Sequence, residues 1–308
     1  MNVVICEFMD REAVDALAAK FDVTYDAELV DRPHDLEDAL AGTHALIVRN
    51  RTQVDERLLE AAPRLRVVGR LGVGLDNIDV AACEARHVEV IPATGANAQA
   101  VAEYVMGASW LLLRGLAGAT AAVEIGAWPR GALSNGREIA GKVLGLVGFG
   151  SIGRLVARLA HALGMRVVGF DALIPASDPV WRAHGVTPCG FAEVVAEADV
   201  VSLHVPLTPA TRDLLDAARI GTMKRDAILI NTARGGVVDE AAVAAALRAG
   251  RLGGAALDVF ATEPLPAGSP LAGCPRLLLT PHIAGVTRES NVRVSAMIAA
   301  RVAEALSR

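Results

Sequence analysis

The chain has 308 residues, 53% of them apolar and 21% charged, which is enough for about two packed domains and excludes a disordered chain. Its net charge of −5 argues against a nucleic-acid surface, which shows as a strongly basic domain, yet a local cluster of arginines can still hold a small anion. Cys6, Cys83, Cys189 and Cys274 stand far apart, with no CxxC and no histidine at zinc-ligand spacing, so they read as buried free thiols and no metal site is expected. The first residues, Met1-Asn2-Val3-Val4-Ile5-Cys6-Glu7, lack the basic segment and cleavage site of a signal peptide. The most apolar stretch, residues 104–123, is broken by Arg114 and reads as a buried helix, not a membrane span. A soluble, cytoplasmic chain is expected, with no nucleic-acid or membrane partner.

Short β-branched runs alternate with Ala/Leu-rich segments of helical period. In chain order, strands are expected at 3–6, 44–48, 65–69 and 88–91, with helices at 12–20, 35–40, Glu56–Ala61 and Val80–Ala85 between them. A long helix follows over 98–116. A second series of strands then covers Val143–Val147, Arg166–Phe170, Val200–Leu203, 227–230, 254–259 and 277–280, and the chain ends in a helix over Arg288–Leu306. Near-continuous apolar strands separated by helices indicate parallel sheets covered on both faces. The expected fold is therefore α/β, with two Rossmann-like or flavodoxin-like doubly wound domains and a cleft between them.

The strongest local motif follows the strand Val143–Val147. Gly148-x-Gly150-x-x-Gly153 opens a helix, with Ser151 and Ile152 in its first turn. The three glycines suit a tight turn, close approach of backbone to a pyrophosphate, and close packing of helix on strand. The helix N-terminus adds free N–H groups and partial positive charge. Asp171 ends the next strand roughly 18 residues past Gly153, near the ~20 expected of the acid that binds the adenosine ribose. A carboxylate there repels a 2′-phosphate, and no arginine directly follows, so NAD is favoured over NADP.

Three later strand ends carry reactive side chains, where open α/β sheets bind ligands. One strand leads into Asn231-Thr232-Ala233-Arg234-Gly235-Gly236, the next into Asp258-Val259-Phe260-Ala261-Thr262-Glu263-Pro264, and the third into Pro281-His282-Ile283-Ala284-Gly285. The set suits reversible reduction of a 2-keto acid. Arg234 can fork onto the carboxylate and polarise the keto oxygen. His282 can donate a proton to that oxygen and take it back. Glu263, bonded to the other ring nitrogen, would fix the imidazole tautomer. His204, after the strand Val200–Leu203, reads as a packed histidine, and Asn97 as an N-cap or hinge group before the long helix.

Taken together, these motifs resemble the D-isomer-specific 2-hydroxyacid dehydrogenases over essentially the whole chain, closest to the D-3-phosphoglycerate dehydrogenase-like branch. The resemblance implies catalytic Arg234, Glu263 and His282, an NAD cofactor and a homodimer, with Trp128-Pro129-Arg130 near the dimer interface. It implies nicotinamide-side contacts from Thr232, Ala233, Asp258, His282 and Gly285, with Val205 and Pro206 on the adenine side. It also implies a discontinuous substrate domain, residues 1–97 plus 286–308, around an NAD-binding domain at 98–285. The additional C-terminal regulatory domain of some phosphoglycerate dehydrogenases is not expected.

The substrate signals lie in the first domain. Arg70-Leu71-Gly72-Val73-Gly74 follows a strand, and by resemblance the N–H groups of Val73 and Gly74 hold the substrate carboxylate, as a backbone nest can. The preceding strand leads into Arg49-Asn50-Arg51-Thr52, where two arginines suit a second anionic group. The branch usually has Ser or Ala where Asn50 stands, so a 3-sulfolactate-type substrate rivals 3-phosphoglycerate. The expected function is hydride transfer between NAD and C2 of such an acid. The alternatives are a glyoxylate or hydroxypyruvate reductase, and an NAD(H)-sensing, corepressor-like protein. Glu263 argues against the formate dehydrogenase branch, which carries Gln there.

Overall fold

The computed structural model describes residues 1–308, in two compact units. The first unit takes Met1–Asn97 and Val286–Arg308. Its strands are β1 (Asn2–Ile5), β2 (Asp22–Tyr25), β3 (Ala45–Val48), β4 (Val67–Arg70) and β5 (Glu89–Pro92), all parallel in the order β2-β1-β3-β4-β5. Alternate residues serve opposite faces of this sheet. Val3, Ile5, Ile47 and Val67 meet Leu17 of the Arg11–Ala18 helix and Ile298 and Val302 of the Arg288–Leu306 helix. Val4, Leu46, Val48 and Val68 meet Leu36, Leu40 and Leu59 on the other side. Asp10, Asp55, Asp79 and Thr287 cap the N-termini of four helices by accepting backbone N–H bonds, which sets where those helices begin.

The second unit, Ala98–Gly285, holds β6 (Val143–Val147), β7 (Arg166–Phe170), β8 (Thr187–Pro188), β9 (Val200–Leu203), β10 (Ile228–Asn231), β11 (Gly254–Leu257) and β12 (Leu277–Leu279). They form one parallel sheet in the order β12-β11-β10-β9-β6-β7-β8. The Ala98–Leu113 and Ser151–Ala162 helices cover one face through Val105, Leu112, Val156 and Ala160, packed on Leu144, Leu146 and Ile230.

The α/β class with two parallel sheets is as the sequence predicts, and some details differ. β2 and β8 are additional edge strands: β2 (DVTY) is only half covered and β8 is two residues ending in Pro188. The helix expected over 98–116 stops at Leu113, and Gly115 and Gly118 then take left-handed φ of 67° and 82°. Asn97 does not serve as an N-cap, since its buried Oδ1 accepts no hydrogen bond. All four cysteines are free, but only Cys6 and Cys83 are buried, while Cys189 and Cys274 are half-buried. No helix is long and apolar enough to cross a membrane.

Both strand orders reverse direction once, between β1 and β3 in the first unit and between β6 and β9 in the second. Doubly wound sheets bind their ligands at such a point, outside the carboxyl ends of the strands.

Candidate active site

The glycine loop lies at the switch point of the second unit. Gly148 has φ 97°, and a side chain there would place Cβ 2.4 Å from the carbonyl oxygen of His204. At Gly153 a Cβ would lie 2.5 Å from the carbonyl oxygen of Gly148. Gly150, by contrast, faces open space and opens the Ser151–Ala162 helix with no side-chain cap, so Ser151, Ile152 and their neighbours keep N–H groups for a ligand. Asp171 is fixed at the loop tip, one carboxylate oxygen accepting from Phe149 N at 2.7 Å and the other from Leu173 N at 2.8 Å. Val205 is half-buried against Gly148 and Pro206 is exposed beside it.

Two buried polar atoms in this region have no partner: Thr232 Oγ1 and His204 Nδ1. Buried polar atoms are normally paired, so each marks a place where a polar ligand atom fits. The His204 Nε2 meets Ser202 Oγ at 3.1 Å, and burial pushes its imidazole down to about 4, which keeps it neutral. The open face over Gly150, the anchored Asp171 and the orphaned Thr232 hydroxyl together fit a dinucleotide.

Arg234, Glu263 and His282 sit on the loops after β10, β11 and β12, which are adjacent in the sheet. Asn231, buried at the end of β10, shapes the first loop, donating from Nδ2 to the Arg234 carbonyl at 2.9 Å and accepting from Ala233 N at 3.1 Å. Arg234 in turn donates to the Ala233 carbonyl at 2.6 Å. Gly235 permits the next loop to approach: a Cβ there would lie 1.8 Å from the Phe260 carbonyl oxygen, so only glycine fits. Glu263 accepts from Phe260 N at 2.9 Å on one carboxylate oxygen, and its other oxygen lies 2.8 Å from His282 Nδ1. The pair is half-exposed, and Nε2 of His282 carries no hydrogen bond.

His282 has φ 55°, a left-handed conformation that a non-glycine residue holds only when its surroundings enforce it. Asp258 does so. Only 1% exposed, it accepts from Thr280 Oγ1 at 2.6 Å and from Ile283 N and Ala284 N at 2.8 Å each, while its carbonyl accepts from His282 N at 2.8 Å. Tyr104, on the Ala98–Leu113 helix, adds a 2.6 Å hydroxyl contact to Thr280. The Asp258 carboxylate thus lies under the His282–Gly285 loop. Asn231, Thr280 and Tyr104 are missed by the sequence reading.

In the first unit, Val73 is exposed and Gly74 half-buried on the loop after β4, and neither N–H takes part in a hydrogen bond, as an anion nest requires. The loop after β3 divides its two arginines. Arg51 forms a two-pronged, exposed ion pair with Asp31, one contact being 3.1 Å from Nη1 to Oδ2, so the structure does not bring it together with Arg49. The reason is tertiary, since Asp31 reaches the loop from the segment before the second helix. Arg49 is half-buried, donates to Asn291 Oδ1 at 2.9 Å and lies 5.8 Å over the Phe8 ring. Asn50 is exposed beside it. The organiser of the loop is Glu7, which no sequence motif marks.

Residues 106–284 match the family described as D-isomer specific 2-hydroxyacid dehydrogenase, NAD binding domain. The chain is 52% identical over 305 residues to the (S)-sulfolactate dehydrogenase of Chromohalobacter salexigens, covering 99% of this chain and 98% of that protein. It is 40% identical to D-3-phosphoglycerate dehydrogenase 2 of Arabidopsis thaliana over 99% of its own length, and spans about half (48%) of that longer protein. The crystal structure of the TT0316 protein from Thermus thermophilus superposes with a TM-score of 0.89 at 34% identity, covering 100% of this chain and 97% of that one. The chain belongs to the D-isomer-specific 2-hydroxyacid dehydrogenases, NAD-dependent oxidoreductases that act on 2-hydroxy acids.

Proposed function

We propose that the substrate is a small, doubly anionic D-2-hydroxy acid, 3-sulfolactate or 3-phosphoglycerate, and that Arg234, Glu263 and His282 carry its interconversion with the 2-keto acid. The observation that carries the chemistry is the 2.8 Å contact of Glu263 with His282 Nδ1, which holds the proton on that nitrogen and leaves Nε2 to exchange one. NAD, when bound, takes or returns the hydride at C2. His282 Nε2 gives its proton to the keto oxygen during reduction and receives it during oxidation. Arg234 forks onto the carboxylate and polarises the keto oxygen. On the first unit, the N–H groups of Val73 and Gly74, which enter no hydrogen bond, suit an anionic group of the substrate. Gly148, Gly150, Ser151, Ile152, Gly153, Asp171, Val205, Pro206, Thr232, Ala233, Asp258 and Gly285 form the dinucleotide site. In this reading the first unit is the substrate domain and the second the NAD domain.

Arg49 supports the second negative charge. It is a partly desolvated guanidinium whose one hydrogen-bond acceptor is a neutral amide, and burial lowers its affinity for its proton while Glu7 opposes that. An incoming anion would supply the charged hydrogen-bond acceptor that the guanidinium lacks. The stereochemistry is also consistent. In sulfolactate the sulfur-bearing carbon outranks the carboxyl, so the S descriptor denotes the spatial arrangement called D in the simple 2-hydroxy acids. A cytoplasmic homodimer completes the proposal, supported by the free thiols and by Ile125 and Trp128, 83% and 77% exposed on one segment.

The test is NADH absorbance with the purified chain, whose mass in solution should be that of two copies. Oxidation of 3-sulfolactate or D-3-phosphoglycerate should show kcat/KM at least about tenfold above that of D-glycerate, the value of one charged contact. Preference for glyoxylate or hydroxypyruvate would instead make it a reductase of singly charged acids, and equal rates with D-glycerate would remove the second anion from the proposal.

A further inference from the structure

β1 and β3 are neighbours at the switch point of the first unit, where a flavodoxin-like sheet receives its ligand. Here the turn after β3 offers four consecutive backbone N–H groups, as an anion-binding nest does. A side chain of the protein takes all four. Glu7, two residues beyond the β1–β3 ladder and 3% exposed, accepts from Arg49 N at 2.9 Å and Thr52 N at 3.0 Å on Oε1, and from Asn50 N at 3.3 Å and Arg51 N at 3.2 Å on Oε2. Burial disfavours the Glu7 charge, but the N–H bonds of Thr52, Arg49 and Arg51 outweigh it and hold the carboxyl below its ordinary range.

The opposite side of the turn is clamped too. Asn77 Nδ2, buried on the loop that carries Val73 and Gly74, donates to the Thr52 carbonyl at 2.7 Å and the Arg49 carbonyl at 3.5 Å. The turn therefore has its four N–H groups bound by Glu7 and two of its carbonyls by Asn77. With the backbone donors consumed, the Arg49 guanidinium is the cation it leaves for a ligand. Phe8, next to Glu7, lies under that guanidinium.

We propose that Glu7 is a positioning residue that sets substrate specificity: by filling the nest with an internal carboxylate, it holds the Arg49–Thr52 turn so that Arg49 meets the distal anion of a doubly charged substrate. This rests on the substrate reading above. A carboxylate in the nest also turns away a ligand anion that would otherwise sit on the backbone, which leaves recognition to the longer reach of the arginine.

The experiment compares Glu7→Gln, Glu7→Asp and Arg49→Ala with the parent chain, using D-3-phosphoglycerate and D-glycerate, which differ only in the distal anion. Glu7→Gln presents an amide to four N–H donors and can satisfy only those on its oxygen. Its kcat/KM ratio for phosphoglycerate over glycerate should fall about tenfold, through KM for phosphoglycerate and not through kcat. Glu7→Asp, which keeps the charge, should lose less, and it provides the reading if Glu7→Gln fails to fold. If Arg49→Ala lowers the ratio and neither Glu7 variant does, the inference falls while the substrate reading stands. A loss equal for both acids reduces Glu7 to a structural role and likewise overturns it. If Arg49→Ala leaves the ratio unchanged, the second-anion reading fails first, and the inference with it.

Discussion

Glu263 is bonded twice, and the two bonds give its substitution a definite direction. Phe260 N–H requires an acceptor, so in Glu263→Gln the amide oxygen stays on that donor and the NH₂ group turns toward His282 Nδ1. The imidazole then carries its proton on Nε2 as the neutral form, and giving it up would leave an imidazolate. Keto-acid reduction should lose about a hundredfold or more in kcat, while NADH affinity, read by fluorescence titration, stays within about twofold. His204 gives a prediction for stability. Its folded value is depressed to about 4 from 6.5, so on acidification the unfolded chain takes the proton first. Stability is lost as pH falls below 6.5 and the loss levels off below about 4. Urea unfolding should show a contribution of about 2 kcal/mol lost between about pH 7 and pH 5 that is missing in His204→Asn.

At the scale of elements, the differences between expectation and structure have local causes. The strand expected over 254–259 ends at Leu257, because Asp258 leaves the ladder to support the loop of the next strand. The edge strands β2 and β8 carry too few apolar residues to show as runs, and pairing on one side alone defines them. β4 shows the reverse, a glycine that looks unfavourable within a strand. A Cβ at Gly69 would lie 2.8 Å from methyl carbons of both Ile298 and Val302, so the glycine is what lets the C-terminal helix lie close on the sheet. Gly69→Val should lower stability by about 1–3 kcal/mol in urea unfolding, and an unchanged midpoint would disprove that packing.

The molecule consists of two units with separate cores, and the chain crosses between them twice, after Asn97 and after Gly285. Residues 286–308 supply Val294, Ile298, Val302 and Leu306 to the core of the first unit and nothing to the clusters of the second. A chain ending at Gly285 should therefore lose amide protection across residues 1–97 while β6, β9 and β10 keep theirs, as followed by hydrogen exchange. Uniform loss over both units would contradict this division of the cores.

The amino-acid order alone makes legible the α/β class, the glycine loop with its strand-end aspartate, and the three strand-end motifs that place Arg234, Glu263 and His282 on neighbouring loops. These are local signals: hydrophobic period sets strands and helices, and chemistry at strand ends follows from parallel order. It did not determine which of Arg49 and Arg51 is committed elsewhere, what holds His282 at a positive φ, or that Glu7 fills a nest of four N–H groups. Those depend on residues far apart in the chain, Asp31 with Arg51, Asp258 with the His282 loop, and Glu7 with Arg49–Thr52. A buried carboxylate and a solvated one look alike in a sequence. Only the folded chain shows which donors surround them.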